Sequence, residues 1–257
     1  MALIDYHIHA LAHGEYQLTA EWLTEYLASA KQQGIIELGI SDHDEFQGTF
    51  DPAMILDGNR ISGGNPVVRL GLEVDYKPSR ETELAHLIRK APYDYVIGSV
   101  HHIGEWLFDH PDYRSGYDTR SVDAVYAEYY TLVERMCRSG LFDVVGHIDL
   151  VKIWGHRPAG NSGAAFAGSA LKAIRECGMV VEINSAGLRK PVGELYPEDA
   201  IIRRLFESNI PITLGSDAHR PDDVGLGLGE AAAAARRAGY RKVTGFQQHQ
   251  QLLFSLD

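Results

Sequence analysis

Seven short, β-branched, mostly apolar segments are distributed along this chain, and every one of them runs at its C-terminal end into a histidine, a carboxylate or an amide. The segments are Leu3 to His7, Ile36 to Ser41, Val67 to Glu73, Tyr95 to Val100, Asp143 to His147, Val180 to Asn184 and Pro211 to Ser216. They end respectively in His7-Ile8-His9, Asp42-His43, Glu73, His101-His102, His147 with Asp149, Glu182 with Asn184, and Asp217-Ala218-His219. Amphipathic stretches with apolar residues at spacings of three and four lie between them, including Leu18 to Gln33, Arg80 to Lys90, Ser121 to Ser139, Gly163 to Cys177 and Glu198 to Ser208. Asp222 to Ala238 is expected to close the series as an eighth helix. Gly34, Gly140, Gly178 and Gly239 each follow a helical stretch, where a left-handed residue ends a helix. Strict alternation of strand and helix predicts parallel strands joined by right-handed crossovers. A doubly wound sheet would spread the polar strand ends along an open edge, whereas a barrel gathers them on one face. The pattern therefore favours an α/β fold built as a closed or nearly closed barrel, with no linker or low-complexity tract to divide residues 1–257 into more than one domain.

Composition narrows what such a barrel can act on. With 24 Lys and Arg against 35 Asp and Glu, the formal net charge is −11, which argues against a broad basic surface for nucleic acid. A 257-residue chain buries enough surface to hold its core without a disulfide or a structural metal, so any metal is expected to serve chemistry. Cys137 and Cys177 are expected to be buried free thiols, which fits a reducing, cytoplasmic location. The first residues lack the basic start and long apolar run of a signal peptide, and no apolar run approaches a membrane span. No Gly-x-Ser-x-Gly elbow or phosphate-binding P-loop is present, and Gly225, Gly227 and Gly229 miss the dinucleotide-binding register, so they are expected to form a loop.

The chain has 12 histidines. His7 and His9 are two apart on one extended strand, so they point to the same side as a chelating pair. Asp217-x-His219 repeats that spacing at the far end of the barrel. Neutral imidazole with carboxylate suits zinc, manganese or iron, and a bridging carboxylate such as Glu73 suits a site with more than one ion. His102, His110 and His156 lie near the same face without repeating the pattern, while His86 and His249 are expected to be solvated helix residues.

Taken in order, Asp5-Tyr6-His7-Ile8-His9, Ser41-Asp42-His43, Gly71-Leu72-Glu73, Ser99-Val100-His101, Gly146-His147 and Ser216-Asp217-Ala218-His219 resemble the motifs of the PHP (polymerase and histidinol phosphatase) superfamily. The match spans nearly the whole chain, and the stand-alone histidinol-phosphatase type looks nearest, on Phe142 to Lys152, Glu182-Ile183-Asn184 and Ala186 to Pro197. The resemblance implies a distorted (βα)7 TIM-like barrel holding two or three divalent ions. It implies that His7, His9, Glu73 and Asp217 hold the first ion, that Glu73 bridges to a second completed by His101 and His147, and that His43, His219 and His13 hold a third. Asp42 would be the acid behind a ligand imidazole. The implied reaction is hydrolysis of a small phosphate ester, L-histidinol phosphate, by a metal-bridged hydroxide attacking phosphorus in line. Asp217 or His219 would then pass a proton to the leaving alkoxide. Arg157 and Arg189, in the loops after strands five and six, are expected to bind phosphate through their guanidinium forks. The alternatives are a phosphoesterase for nucleotides or nucleic-acid ends, a non-catalytic PHP module, and a metal-dependent deacylase, which would have no use for the two arginines.

Overall fold

A computed structural model describes residues 3–160 and 162–256. Seven parallel strands form one sheet in the order in which they occur along the chain. They are β1 (Leu3–Ile8), β2 (Ile35–Ile40), β3 (Val67–Asp75), β4 (Tyr95–Ser99), β5 (Val144–Val145), β6 (Val180–Asn184) and β7 (Ile212–Gly215). The sheet curls until the chain just beyond β7 meets β1: Ala218 pairs with Ile8, and His9 N donates to Ala218 O at 2.8 Å. The result is a nearly closed barrel, with every expected strand bound met to within two residues; β5, expected to span five residues, is trimmed at both ends to two.

The helices on the outside are α1 (Ala20–Gln32), α2 (Pro52–Ser62), α3 (Glu81–Leu87), α4 (Val122–Arg138), α5 (Gly168–Cys177), α6 (Asp199–Glu207) and α7 (Leu228–Ala238). These seven are all the α-helices among the described residues, one fewer than expected. The last helix begins at Leu228 because Pro221–Asp223 forms only a short 3-10 turn and Gly227, at φ 83°, caps α7. The four glycine stops behave as expected: Gly34, Gly140, Gly178 and Gly239 all have positive φ.

The chain does not end at α7. Two antiparallel strands, β8 (Lys242–Gln247) and β9 (Gln250–Ser255), make a hairpin at the N-terminal end of the barrel. Its turn donates from Gln248 N to Asp94 Oδ1 and from His249 N to Asp94 O, and His249 Nδ1 lies 2.9 Å from Asp143 Oδ2. Asp94 and Asp143 immediately precede β4 and β5, so the turn fastens to the strand starts. His249, expected on a helix, is a hairpin-turn residue, because the chain reverses at Gln248 and His249 with φ of 50° and 63°. His86 is exposed on α3, as expected. Cys137 is buried on α4, but Cys177, expected to be buried, is exposed at the last residue of α5.

Candidate metal centre

Strand pleating delivers His7 and His9 side by side at the mouth of the barrel, both fully buried, with ring centroids 5.0 Å apart. Glu73, near the end of β3, is their common neighbour. Its Oε1 lies 3.3 Å from His7 Nε2, 3.1 Å from His147 Nε2 and 3.8 Å from His101 Nε2. Its Oε2 lies 3.4 Å from His9 Nε2 and 3.0 Å from His43 Nδ1. Asp217 Oδ1 approaches His9 Nε2 to 3.4 Å and His219 Nδ1 to 3.6 Å. The Asp217 backbone sits at φ 55°, a left-handed conformation that aspartate tolerates better than most side chains. His13 reaches the same place from the loop after β1, its ring 4.6 Å from that of His219 and 5.6 Å from that of His43. All nine side chains named above as expected metal ligands converge here.

Three sets of side chains bring ligand atoms within 4.8 Å of one another: His9 with His43 and His219, His7 with His9 and Asp217, and His7 with Glu73 and His147. His7 Nε2, both nitrogens of His9, His43 Nε2, His147 Nδ1 and His219 Nε2 are buried without a hydrogen-bond partner. Burying a polar atom unpaired is costly, and so many imidazole nitrogens facing two carboxylates form a donor set that divalent cations satisfy. The charges agree. Burial opposes ionisation of Glu73 and Asp217, yet the surrounding imidazoles, His7 first for each, hold both well below the usual carboxylate range. Burial would lower His7 and His101 too, but Glu182, Glu73 and Asp217 raise the first, and Asp75, Asp109 and Glu73 push the second up to about 10. His9 and His219 are lowered by burial, His219 to about 4. Ionised carboxylates among imidazoles suit a cation, and because ligand imidazoles must be neutral, metal binding at such a site is coupled to proton release.

The residues that aim the imidazoles are only partly those expected. Glu182, on β6, takes His7 Nδ1 at 2.7 Å with Oε1, while its Oε2 accepts from His147 N at 2.8 Å and Asn184 Nδ2 at 3.1 Å. This approach needs a glycine on the next strand: a Cβ on Gly215 would lie 1.9 Å from Glu182 Oε1. Asp75, which the strand-end reading passed over, lies 3.5 Å from His101 Nδ1 and 2.9 Å from His102 Nδ1. Asp42 does not orient an imidazole. It is buried and accepts from Leu11 N at 2.8 Å, fixing the loop that carries His13, and burial pushes its carboxyl up to about 7.

The cluster opens into a cavity of about 1000 Å³ lined by His13, His43, Glu73, His101, His147, Asp217 and His219. Arg189, Lys190, Arg220, Lys77 and Arg80 line it as well, as do Asp109 and Tyr196. Arg189 is anchored by donating to Ser216 O at 2.7 Å. Arg157 does not line this cavity; its guanidinium is paired with Glu194 at 2.7 Å and Glu198 at 3.2 Å. His102 and His110 line the cavity, whereas His156 stacks on Tyr117.

The PHP domain family model matches residues 5–186. The chain is 36% identical over 255 residues to a probable histidinol-phosphatase of Deinococcus radiodurans, covering 94% of this chain and 96% of the relative. It is 30% identical to the histidinol-phosphatase of Bacillus subtilis, covering 86% and 95%. Among solved structures it resembles histidinol phosphate phosphatase of Lactococcus lactis, complexed with zinc, L-histidinol and phosphate, with a TM-score of 0.78 at 19% identity over 97% of this chain and 98% of that one. That structural likeness bears out the TIM-like barrel.

Proposed function

This chain belongs to the PHP domain family, and on that premise we propose that it is a metal-dependent phosphomonoester hydrolase converting L-histidinol phosphate and water to L-histidinol and phosphate. Relatives named for this activity align with nearly the full length of the chain, which supports the substrate. The observation that carries the reading is the Glu73 cluster: two carboxylates and seven imidazoles packed at the floor of a cavity whose wall bears Arg189, Lys190 and Arg220.

His7, His9, Glu73 and Asp217 would hold one ion, Glu73, His101 and His147 a second, and His43, His219 and His13 a third, drawn from zinc, manganese and iron. When bound, the ions supply Lewis acidity toward phosphoryl oxygens and a water acidic enough to be a nucleophile near neutral pH. The protein's own residues do the rest. Arg189, its guanidinium steadied by Ser216 O, is placed to bind the non-bridging oxygens, with Lys190 and Arg220 adding positive charge. His219 rests its Nδ1 on Asp217 O at 3.1 Å, which leaves Nε2 free. The Asp217 carboxylate, or the His219 imidazole where Nε2 does not hold the third ion, would take up the proton lost by the attacking water and pass it to the departing alkoxide. Arg157, tied to two glutamates, is assigned to holding the loops together instead of to phosphate. The free thiols Cys137 and Cys177 support a cytoplasmic location for this activity, and no helix among the described residues is long and apolar enough to cross a membrane.

The test is side-by-side turnover of L-histidinol phosphate, a nucleoside monophosphate and a phosphodiester by protein purified without chelator, with elemental analysis of the same sample. Two or three transition-metal ions per chain and fastest turnover of L-histidinol phosphate are expected. Faster turnover of the nucleotide would move the substrate, and metal-free protein with full activity would sink the metal-dependent reading.

A further inference from the structure

Tyr196 is 1% exposed and lines the cavity, yet its hydroxyl is buried without a hydrogen-bond partner. The other buried tyrosines show how unusual that is here. Tyr26 donates to His9 O, Tyr95 to Tyr6 O, Tyr117 to Val151 O, Tyr126 to His156 O and Tyr129 to His147 O. Tyr130 also has an unpaired buried hydroxyl, but it does not line the cavity. A phenol that reaches an active-site wall and finds no protein partner is a donor in waiting, because an unmet buried hydroxyl costs about 1–3 kcal/mol.

Its position is built rather than incidental. Tyr196 exchanges both backbone hydrogen bonds with Asn184, at 2.6 and 2.9 Å, which ties it to the end of β6. The ring stands edge-on to that of His147, with centroids 6.4 Å apart. Beneath its face lies Lys152 Nζ, 5.4 Å from the centroid. Lys152 is fully buried and is itself held by Asp149 at 2.9 Å and by Leu195 O at 2.6 Å. A cation under the ring draws on its electron density and makes the O–H a better donor. A phenol, with an ordinary pKa of about 10, keeps its proton at neutral pH and so has an O–H to donate.

We propose that Tyr196 is a substrate-binding residue whose hydroxyl donates a hydrogen bond to a phosphoryl oxygen of the ester, and to the phosphate left after hydrolysis. Lys152 is the positioning residue behind it. The assignment rests on the phosphatase reading above and adds a neutral donor to the cationic set of Arg189, Lys190 and Arg220.

The experiment compares metal-loaded wild type with Tyr196→Phe, which keeps the ring and deletes the donor. KM for L-histidinol phosphate and the inhibition constant for inorganic phosphate should both rise about tenfold or more, the scale of a hydrogen bond to a charged acceptor. Metal content and melting temperature should be unchanged. Placing 4-aminophenylalanine at position 196 restores an N–H donor and should return phosphate inhibition toward the wild-type value, whereas 4-fluorophenylalanine should not. This pair decides the matter if Tyr196→Phe fails to fold. An unchanged phosphate inhibition constant, whether or not kcat falls, overturns the contact. Wild-type enzyme without turnover on any phosphate ester would strike the phosphatase reading itself, while a Tyr196→Phe enzyme equal to an active wild type strikes this assignment alone.

Discussion

The two ends of the barrel are built from similar residues to opposite purpose. At the N-terminal end Tyr6, Tyr95 and Phe246 pack with ring centroids 4.9, 5.7 and 6.0 Å apart, and every polar group they bring is paired. Tyr6 donates to Glu37 and accepts from Phe246 N at 2.8 Å, Glu37 is bound by Arg69 at 2.7 Å, and Tyr95 donates to Tyr6 O at 2.7 Å. At the C-terminal end, by contrast, imidazole nitrogens and the Tyr196 hydroxyl are buried with no partner, and Asp217 holds a left-handed backbone. A fully satisfied floor stabilises without binding anything. An unsatisfied mouth is tolerable only where a ligand completes it, which is why unpaired groups, more than buried ones, locate the chemistry in this fold.

The hardest way to break that contrast is to remove the hub of the mouth. Glu73→Gln takes away the charge that five imidazoles share, so metal content should fall and turnover should drop by about a thousandfold or more, equivalent to roughly 4 kcal/mol of transition-state stabilisation. Elemental analysis and kcat on the same preparation measure this, and a Glu73→Gln enzyme with full metal and activity would refute the hub. The complementary change at the floor is Tyr95→Ala. The Tyr95 side chain lies across the barrel interior in space that Gly39 and Gly71 leave clear, where a Cβ on Gly39 would sit 2.0 Å from its hydroxyl and one on Gly71 2.3 Å from its ring. Its loss should leave a cavity and destabilise by about 3–5 kcal/mol, as for other large aromatic truncations. Chemical denaturation should show that loss, with kcat of the remaining folded, metal-loaded enzyme close to wild type. A kcat collapse without a stability change would mean that the two ends are not separable.

How much of this contrast is legible in the amino-acid sequence depends on how far apart the partners are. His7-x-His9 announces itself because period-2 spacing along a strand puts both imidazoles on one side, and neighbouring strand ends then bring Glu73, His101 and His147 to them. Asp217 and His219 share that spacing but lie beyond the end of β7, with Asp217 at φ 55°, so they reach the cluster through the loop and not through strand pleating. Asp42 and Glu182 are equivalent as strand-end acids in one dimension. Which of them touches an imidazole depends on the lateral order of strands and on Gly215 making room, and Glu182 meets His7 from 175 residues away. Arg157 reads as a phosphate ligand because its partners Glu194 and Glu198 lie in a different loop, after β6. The closing hairpin is hidden for another reason. Two-residue hairpin turns with positive φ are signalled by Asn-Gly or Asp-Gly, and here Gln248-His249 takes that conformation without either.

The same hairpin yields the smallest and most discriminating effect. His249 is 48% exposed and its partner Asp143 is 19% exposed, so their 2.9 Å contact is solvated on the imidazole side and is laid over a turn that Asp94 already secures by accepting from two backbone N–H groups. His249→Ala should therefore cost only about 0.2–1 kcal/mol, the range of exposed ion pairs, and leave metal content and kcat untouched. Asp143 keeps Val96 N as a donor at 2.8 Å after the imidazole is gone, which limits the damage further. Urea denaturation of His249→Ala beside wild type gives the comparison. A loss of several kcal/mol would show that the turn is held by the imidazole and not by the backbone, and a fall in kcat would show that the floor communicates with the mouth.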